Sequence, residues 1–390
     1  MKEESLTENK IYTVNIWKYN SNGLYDYERD NFIISSFKTE FGFFYKDINN
    51  KISFSHTLEQ DTDKKKYLVT LQKKDDKYIL YKRFYTNLPI NTKTVNYLLD
   101  QIWYVIKTNS IKEKKFTSNF IYEIKKNDII KIGRMKFLIK DMNIIGKDIK
   151  KSIETFIPYE INELSNIKKD ENCRICYSND NSIENNPMIS ICKCKGSMNL
   201  HLECLKKWIK SKLQIKEINN KPGISYIIQQ FKCEICNEPY PITIKNNNNY
   251  YNLINYNIPV GQNYIILQSL NLNEEKNYPF SIHVLVFIEN NYSYIIGRGH
   301  ENDIRISSIS VSRIHSRIYM KDDKFFMEDL GSKFGTLVLA KEPVYLYDGI
   351  IYQIGNSLFY YGKEDIKNNN KNDNNYEKNK KSLSSLGEEL

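Results

Sequence analysis

All seven cysteines of this 390-residue chain fall within one stretch of 64 residues, and a single histidine joins them in a paired pattern. The pairs are Cys173-x2-Cys176, Cys192-x-Cys194, His201-x2-Cys204 and Cys233-x2-Cys236. One tight turn can aim two ligands at an ion, and two such turns close the four-coordinate shell that zinc takes in structural sites. Seven thiolates and one imidazole fill two such sites with none left over. A disulfide framework would strand one cysteine and give His201 no purpose, and residues 1–5 are polar with no secretory character. The expectation is two Zn2+ held in reducing surroundings, their binding replacing the core that so short a segment cannot build.

The order of the ligands resembles the RING-CH finger, the variant with histidine as fifth ligand, found in a class of ubiquitin ligases. The opening Cys173-Arg174-Ile175-Cys176, the run from Cys192 to Ser197 and Trp208, four residues after Cys204, all match that family. PHD fingers share the ligand order but carry their tryptophan two residues before the seventh ligand, where this chain has Phe231. Apolar spacing at Leu205, Trp208, Ile209 and Leu213 predicts a helix after the sixth ligand. The resemblance implies interleaved sites, Cys173, Cys176, His201 and Cys204 on one zinc and Cys192, Cys194, Cys233 and Cys236 on the other. It also implies a shallow groove for a ubiquitin-conjugating enzyme, matched here by Ile175 and Trp208, and no catalytic nucleophile. Three features depart from the family: six residues between Cys194 and His201, a 28-residue spacer between Cys204 and Cys233, and Asn237 where many active fingers carry a basic residue.

A second set of motifs lies further on: Gly297-Arg298, Asp303 to Ile306, Ser312-Arg313-Ile314-His315, Asp329 to Thr336, and Gly349-Ile350-Ile351. Short β-branched and aromatic runs between these turn signals predict an all-β sandwich. The ordered series resembles the forkhead-associated (FHA) domain over 278–362. The resemblance implies a phosphothreonine-containing partner, with phosphate met by Arg298 and Ser312, and Arg313 and Lys333 beside them. Two negative charges and three acceptor oxygens call for such cationic and hydroxyl donors on rigid loops. His315 is expected to brace the loops from within, and Phe334 stands where the family holds peptide backbone with asparagine.

Shifting this module back by 216 residues lays Tyr78–Lys82 over Tyr294–Arg298, Leu88–Ile90 over Ile304–Ile306 and Val95–Leu99 over Val311–His315. After a change in loop length, Ile129–Gly133 resembles Ile350–Gly355. Apolar positions agree while the ligand positions do not, Gly297 becoming Tyr81 and Ser312 becoming Asn96. A degenerate FHA-like sandwich over 64–140 follows.

The net charge of +10 is spread through a chain rich in Lys, Asn, Ile and Tyr, so it predicts no nucleic-acid face. Apolar runs are strand-length, so no membrane span is expected, and the cytoplasm, the nucleus or both would be its place. The fold class expected is mainly β: two FHA-like β-sandwiches, the first degenerate, flanking a small α+β cross-brace zinc finger. The domain reading is an unassigned β-rich extension at 1–63, the degenerate sandwich at 64–140 and a connector with helical pattern at 141–170. The finger follows at 171–240, a linker at 241–277, the FHA domain at 278–362 and a disordered tail at 363–390. The functional reading is a soluble RING-CH-type ubiquitin ligase that recruits phosphothreonine partners; the alternative is a non-enzymatic phosphopeptide adaptor with a structural finger.

Overall fold

The computed structural model describes residues 10–15, 33–37, 41–47, 52–57, 66–75, 77–81, 101–106, 121–147, 161–163, 172–179, 186–194, 199–218, 220–229, 231–241, 243–246, 249–270, 279–341, 344–347, 350–355 and 357–362. The sequence features above that lie outside these described residues include 1–5, Lys82, 88–90, 95–99, 148–160, 164–170, 195–198, 271–278, 349 and 363–390.

Strands dominate. The largest sheet has 12 strands, in the spatial order Gln214–Glu217, Gly223–Ile228, Phe280–Phe287, Asn263–Ser269, Met135–Asn143, Ile129–Ile132, Thr336–Leu339, Ile102–Ile106, Ile351–Ile354, Ser357–Gly362, Lys10–Asn15 and Ile33–Phe37. Two five-stranded sheets pack against its two halves. The first runs Ile304–Arg305, Ser293–Gly297, Ser316–Lys321, Lys324–Asp329 and Tyr122–Glu123. Its core joins Phe137, Ile265 and Leu285 of the long sheet to Tyr294, Ile318 and Met327. Phe287 and Phe325 close it at 4.8 Å between ring centroids. The second runs Val344–Tyr345, Lys77–Tyr81, Lys66–Lys74, Phe41–Lys46 and Ile52–Ser55. There Phe44, Leu71 and Leu80 meet Tyr352 and Phe359, with Phe44 edge-on to Phe359 at 5.3 Å. Each such side chain contributes about 1.5–3 kcal/mol when removed from water.

The two sandwiches exchange hairpins. Residues 129–143 belong by sequence to the N-terminal half, yet Ile130, Ile132, Phe137 and Ile139 pack in the core with Ile296 and Ile318. Residues 351–362 lie at the C-terminal end, yet Tyr352, Ile354 and Phe359 pack with Phe44 and Leu68. Both hairpins turn through a left-handed glycine, Gly133 at φ 59° and Gly355 at φ 54°. The seam between the halves is the antiparallel pair Thr336–Leu339 and Ile102–Ile106. Neither core is contiguous in sequence, because a hydrophobic period names a strand but not its partner.

The segment 241–277, read as a linker, carries Thr243–Asn246, Asn249–Asn252 and Asn263–Ser269. The last is buried throughout from Tyr264 to Ser269, as a strand covered on both faces must be. Within 141–170 the described residues include strand at both ends rather than helix: Met135–Asn143 continues through a bulge at Ile139/Asp141, and Ile161–Glu163 pairs in parallel with Thr243–Asn246. The helix Leu202–Lys212 runs through Cys204 into the spacer before Cys233, and a hairpin follows it there, Gln214–Glu217 with Gly223–Ile228, that joins the long sheet. Among the described residues no helix is long and apolar enough to cross a membrane.

Candidate metal centre and phosphopeptide site

The first cysteine pair sits on a tight turn in which Tyr177 N–H donates to Cys173 O at 2.7 Å and Cys173 N–H to Ser178 O at 2.8 Å. The fourth pair repeats it, with Asn237 N–H to Cys233 O at 3.0 Å and Cys233 N–H to Glu238 O at 2.8 Å. Tyr177 and Asn237 occupy the same left-handed position, at φ 60° and 57°. Backbone N–H groups of Ile175 and His201 both lie 3.4 Å from Cys173 Sγ, a setting that favours a thiolate.

The eight side chains fall into two quartets, Cys173, Cys176, His201 and Cys204, and Cys192, Cys194, Cys233 and Cys236, with the donor atoms of each within 4.8 Å of one another. In the first, His201 Nδ1 faces Cys176 Sγ at 3.2 Å and Cys204 Sγ at 3.9 Å. In the second, Cys194 and Cys233 Sγ are 3.7 Å apart. Zinc–sulfur bonds of about 2.3 Å and zinc–nitrogen bonds of about 2.0–2.1 Å in a tetrahedron separate the donors by about 3.5–3.8 Å, so both quartets fit zinc.

His201 closes the short strand Leu200–His201 and Cys204 lies in the first turn of the helix, so one quartet ties helix to knuckle. Leu202, Leu205 and Ile209 bury the inner face of that helix. Trp208 is half-buried, edge-on to Tyr240 at 5.8 Å, with Lys212 Nζ over its ring at 5.6 Å. Ile175 is 42% exposed on the knuckle, and Tyr177 beside it 78%. Sequence reading passed over Tyr177; the only signal available was an aromatic directly after a ligand.

The second site is built at one end of the first five-stranded sheet. Ser293–Gly297 pairs with Ile304–Arg305 in parallel and with Ser316–Lys321 antiparallel, so the loops carrying Arg298 and Ser312 leave from the same end. They touch closely: Arg298 N–H donates to Ser312 O at 2.9 Å and Gly299 N–H to Arg313 O at 3.0 Å. A Cβ on Gly297 would lie 2.2 Å from Arg313 O, which is why that position takes only glycine. Arg298 Nε donates to Val311 O at 3.2 Å, fixing the side chain while the residue stays exposed.

His315 is fully buried behind these loops. Its Nδ1 accepts from Ser312 N–H at 3.1 Å, so Nε2 carries the proton and donates to Gly335 O at 3.2 Å. Asp329, also fully buried, gathers the next loop: its Oδ1 accepts from Gly331 and Ser332 N–H, and its Oδ2 from the hydroxyls of Ser332 and Thr336. Ser332 and Thr336 are thereby turned inward, leaving Lys333 exposed at the rim. Arg313 is exposed as well, and Arg305, whose Nε lies 3.4 Å from Arg298 O, adds a cation that motif reading left without a role.

Two family models match the chain, a RING-variant domain over residues 173–236 and an FHA domain over residues 294–355. Among solved structures, the chain is similar to the crystal structure of the FHA domain of the CT664 protein from Chlamydia trachomatis, at 23% identity, over 21% of this chain and 86% of that one, with a TM-score of 0.12. A structure from an analysis of phosphothreonine-dependent FHA domain interactions gives the same identity, shares and score. No curated protein matches the chain. The chain thus carries a ubiquitin-ligase type of zinc finger, with Cys/His clusters suited to zinc, and a domain of the phosphothreonine-binding type.

Proposed function

We propose that this chain is a ubiquitin ligase of the RING-variant kind that binds two zinc ions and recruits phosphothreonine-containing proteins through its FHA domain. The observation that carries the reading is the joint presence of two complete donor quartets and an exposed Ile175 on the knuckle one of them closes. Zinc, when bound, supplies the free energy that holds the knuckles and the helix in place. Ile175 and Trp208 then offer an apolar face to a ubiquitin-conjugating enzyme, which keeps the thioester and its leaving group. Arg298, Ser312, Arg313 and Lys333 hold the phosphorylated partner, so that one of its lysines attacks that thioester. No residue of this chain forms a covalent bond in the transfer. The cytoplasm, the nucleus or both are its proposed place of action.

Asn237 favours a second reading. It stands after the last ligand, where a basic residue would steady the charged ubiquitin, and its left-handed backbone suits a turn rather than a long reaching side chain. On that reading the chain is an adaptor that docks phosphopeptides and transfers nothing. Ubiquitin discharge from a panel of conjugating enzymes separates the two: acceleration by the purified chain supports the ligase, and none with any enzyme leaves the adaptor.

A further inference from the structure

The spacer that sets this finger apart from its family is also what fastens it to the FHA sandwich. Gly223–Ile228 pairs with Phe280–Phe287 in unbroken antiparallel register, from Gly223↔Leu285 to Ile228↔Phe280. Inside the pairing, Ser225 Oγ lies 2.8 Å from His283 Nδ1, both buried. Ile218, from the same hairpin, is buried in the sandwich core with Leu285, Tyr294 and Ile304. Finger and sandwich therefore share a sheet and a core.

At the hairpin's tip the contact becomes specific. Ile218, Lys221 and Gly223 bond through their backbones to form a compact turn, and Asn220 takes a left-handed backbone within it. The turn sends the Lys221 ammonium into the sandwich. There Nζ donates to Asp303 Oδ2 at 2.7 Å and to Ser293 O at 2.6 Å, with the rings of Tyr294 and Tyr292 at 5.2 and 5.8 Å. The pair is largely shielded, the side chains 25% and 13% exposed. Asp303 Oδ2 also accepts Ile295 N–H at 2.7 Å, which ties it to the strand that delivers Arg298. Its neighbour Asn302 donates through Nδ2 to Gly299 O at 2.9 Å and Arg313 O at 2.7 Å, holding together the two loops of the phosphate site.

We propose that Lys221, contributed by the zinc finger, is a positioning residue of the phosphopeptide site: through Asp303 and Asn302 it sets the loop that bears Arg298. Phosphopeptide affinity then depends on the finger being docked. The proposal rests on the phosphopeptide reading of Arg298 and Ser312. It is independent of whether the finger transfers ubiquitin.

The test compares Lys221→Met, which keeps the stem and removes the charge, with Lys221→Arg, in the full zinc-loaded chain. The probe is the tightest phosphothreonine peptide found by screening a library on the unmodified chain. Mutations that act through a network shift coupling by about 0.5–2 kcal/mol, so Met is expected to weaken the peptide by about two- to thirtyfold. Amide exchange over 299–305 is expected to speed up in Met, while Arg restores both readouts and Lys207→Met on the exposed helix face changes neither. Wild-type affinity in Lys221→Met would overturn the proposal. If the unmodified chain binds no phosphopeptide, the phosphopeptide reading fails and exchange alone decides: faster exchange over 299–305 in Met, rescued by Arg, supports the positioning role, and unchanged exchange refutes it. Should Lys221→Met not fold, Asp303→Asn removes the same charge pair from the other side and is read in the same way.

Discussion

Ser312 and Lys333 meet through one hydrogen bond: Lys333 N–H donates to Ser312 Oγ at 3.0 Å. One acceptor lone pair of the hydroxyl is thereby used, and its own O–H can donate to a ligand beside Arg298, whose Nε is already fixed to Val311 O. A phosphate oxygen is the partner such a pair suits, one charged donor and one neutral donor held by backbone rather than by flexible stems.

The two donors should therefore differ in weight. Hydrogen bonds to a charged group contribute about 1.5–3 kcal/mol each, so Arg298→Ala should weaken phosphothreonine binding by roughly tenfold to over a hundredfold. Ser312→Ala should cost less, and both affinities should fall with added salt. Calorimetry with phosphorylated and unphosphorylated peptides reads all three. Arg298→Ala binding as well as the unmodified chain would remove the site.

Metal content should be two zincs per chain by elemental analysis of protein purified without added metal. His201→Ala should empty the first quartet before the second, because it removes the donor that faces both Cys176 and Cys204. A ratio near one in the unmodified chain would break the paired arrangement.

Folding stability should carry a signature of His283. Burial pushes its imidazole down to about 4, from 6.5 in the unfolded chain. Above about pH 6.5 both states are neutral and stability is full; as pH falls below that, the unfolded chain takes up a proton first. The loss grows until about pH 4 and reaches at most about 3 kcal/mol. Because zinc thiolates also protonate in acid, the measurement is a comparison. Denaturant unfolding at pH 7 and 4.5 should show a smaller acid loss in His283→Gln than in the unmodified chain, and equal losses would show that His283 does not titrate in this way.

Much of the two sites was legible because their chemistry is local. Ligand pairs such as Cys173 and Cys176 sit within one turn, so spacing alone names them; Gly297 was legible only as part of an ordered motif series, and the Arg313 carbonyl shows why glycine stands there. What was illegible is non-local. Nothing in residues 129–143 says that they pack with Ile318 rather than with Phe44, since both cores want the same aliphatic period. The strand Asn263–Ser269 was hidden for a related reason, an apolar run flanked by asparagines that read as a linker. Asp329 could have been suspected from the Ser332 and Thr336 hydroxyls that follow it, but only the fold shows that all three face inward.

The groove is tested separately from the metal. Ile175→Ala should abolish stimulated ubiquitin discharge while zinc content stays at the unmodified value, since the residue is 42% exposed and alanine keeps the backbone N–H that meets Cys173 Sγ. Loss of zinc along with activity would make Ile175 a packing residue.

The most direct measurement joins the two ends of the molecule. One protein substrate is prepared with and without a single phosphothreonine that the FHA domain binds, and ubiquitin transfer to it is followed with a conjugating enzyme that the chain stimulates. A phosphothreonine-recruiting ligase should modify the phosphorylated form faster by at least about tenfold at substrate concentrations below the binding constant, in keeping with a binding difference of about 1.4 kcal/mol or more. Arg298→Ala should remove that preference while leaving discharge to free lysine intact. Equal transfer to both forms, or no transfer to either with any conjugating enzyme, would contradict the account.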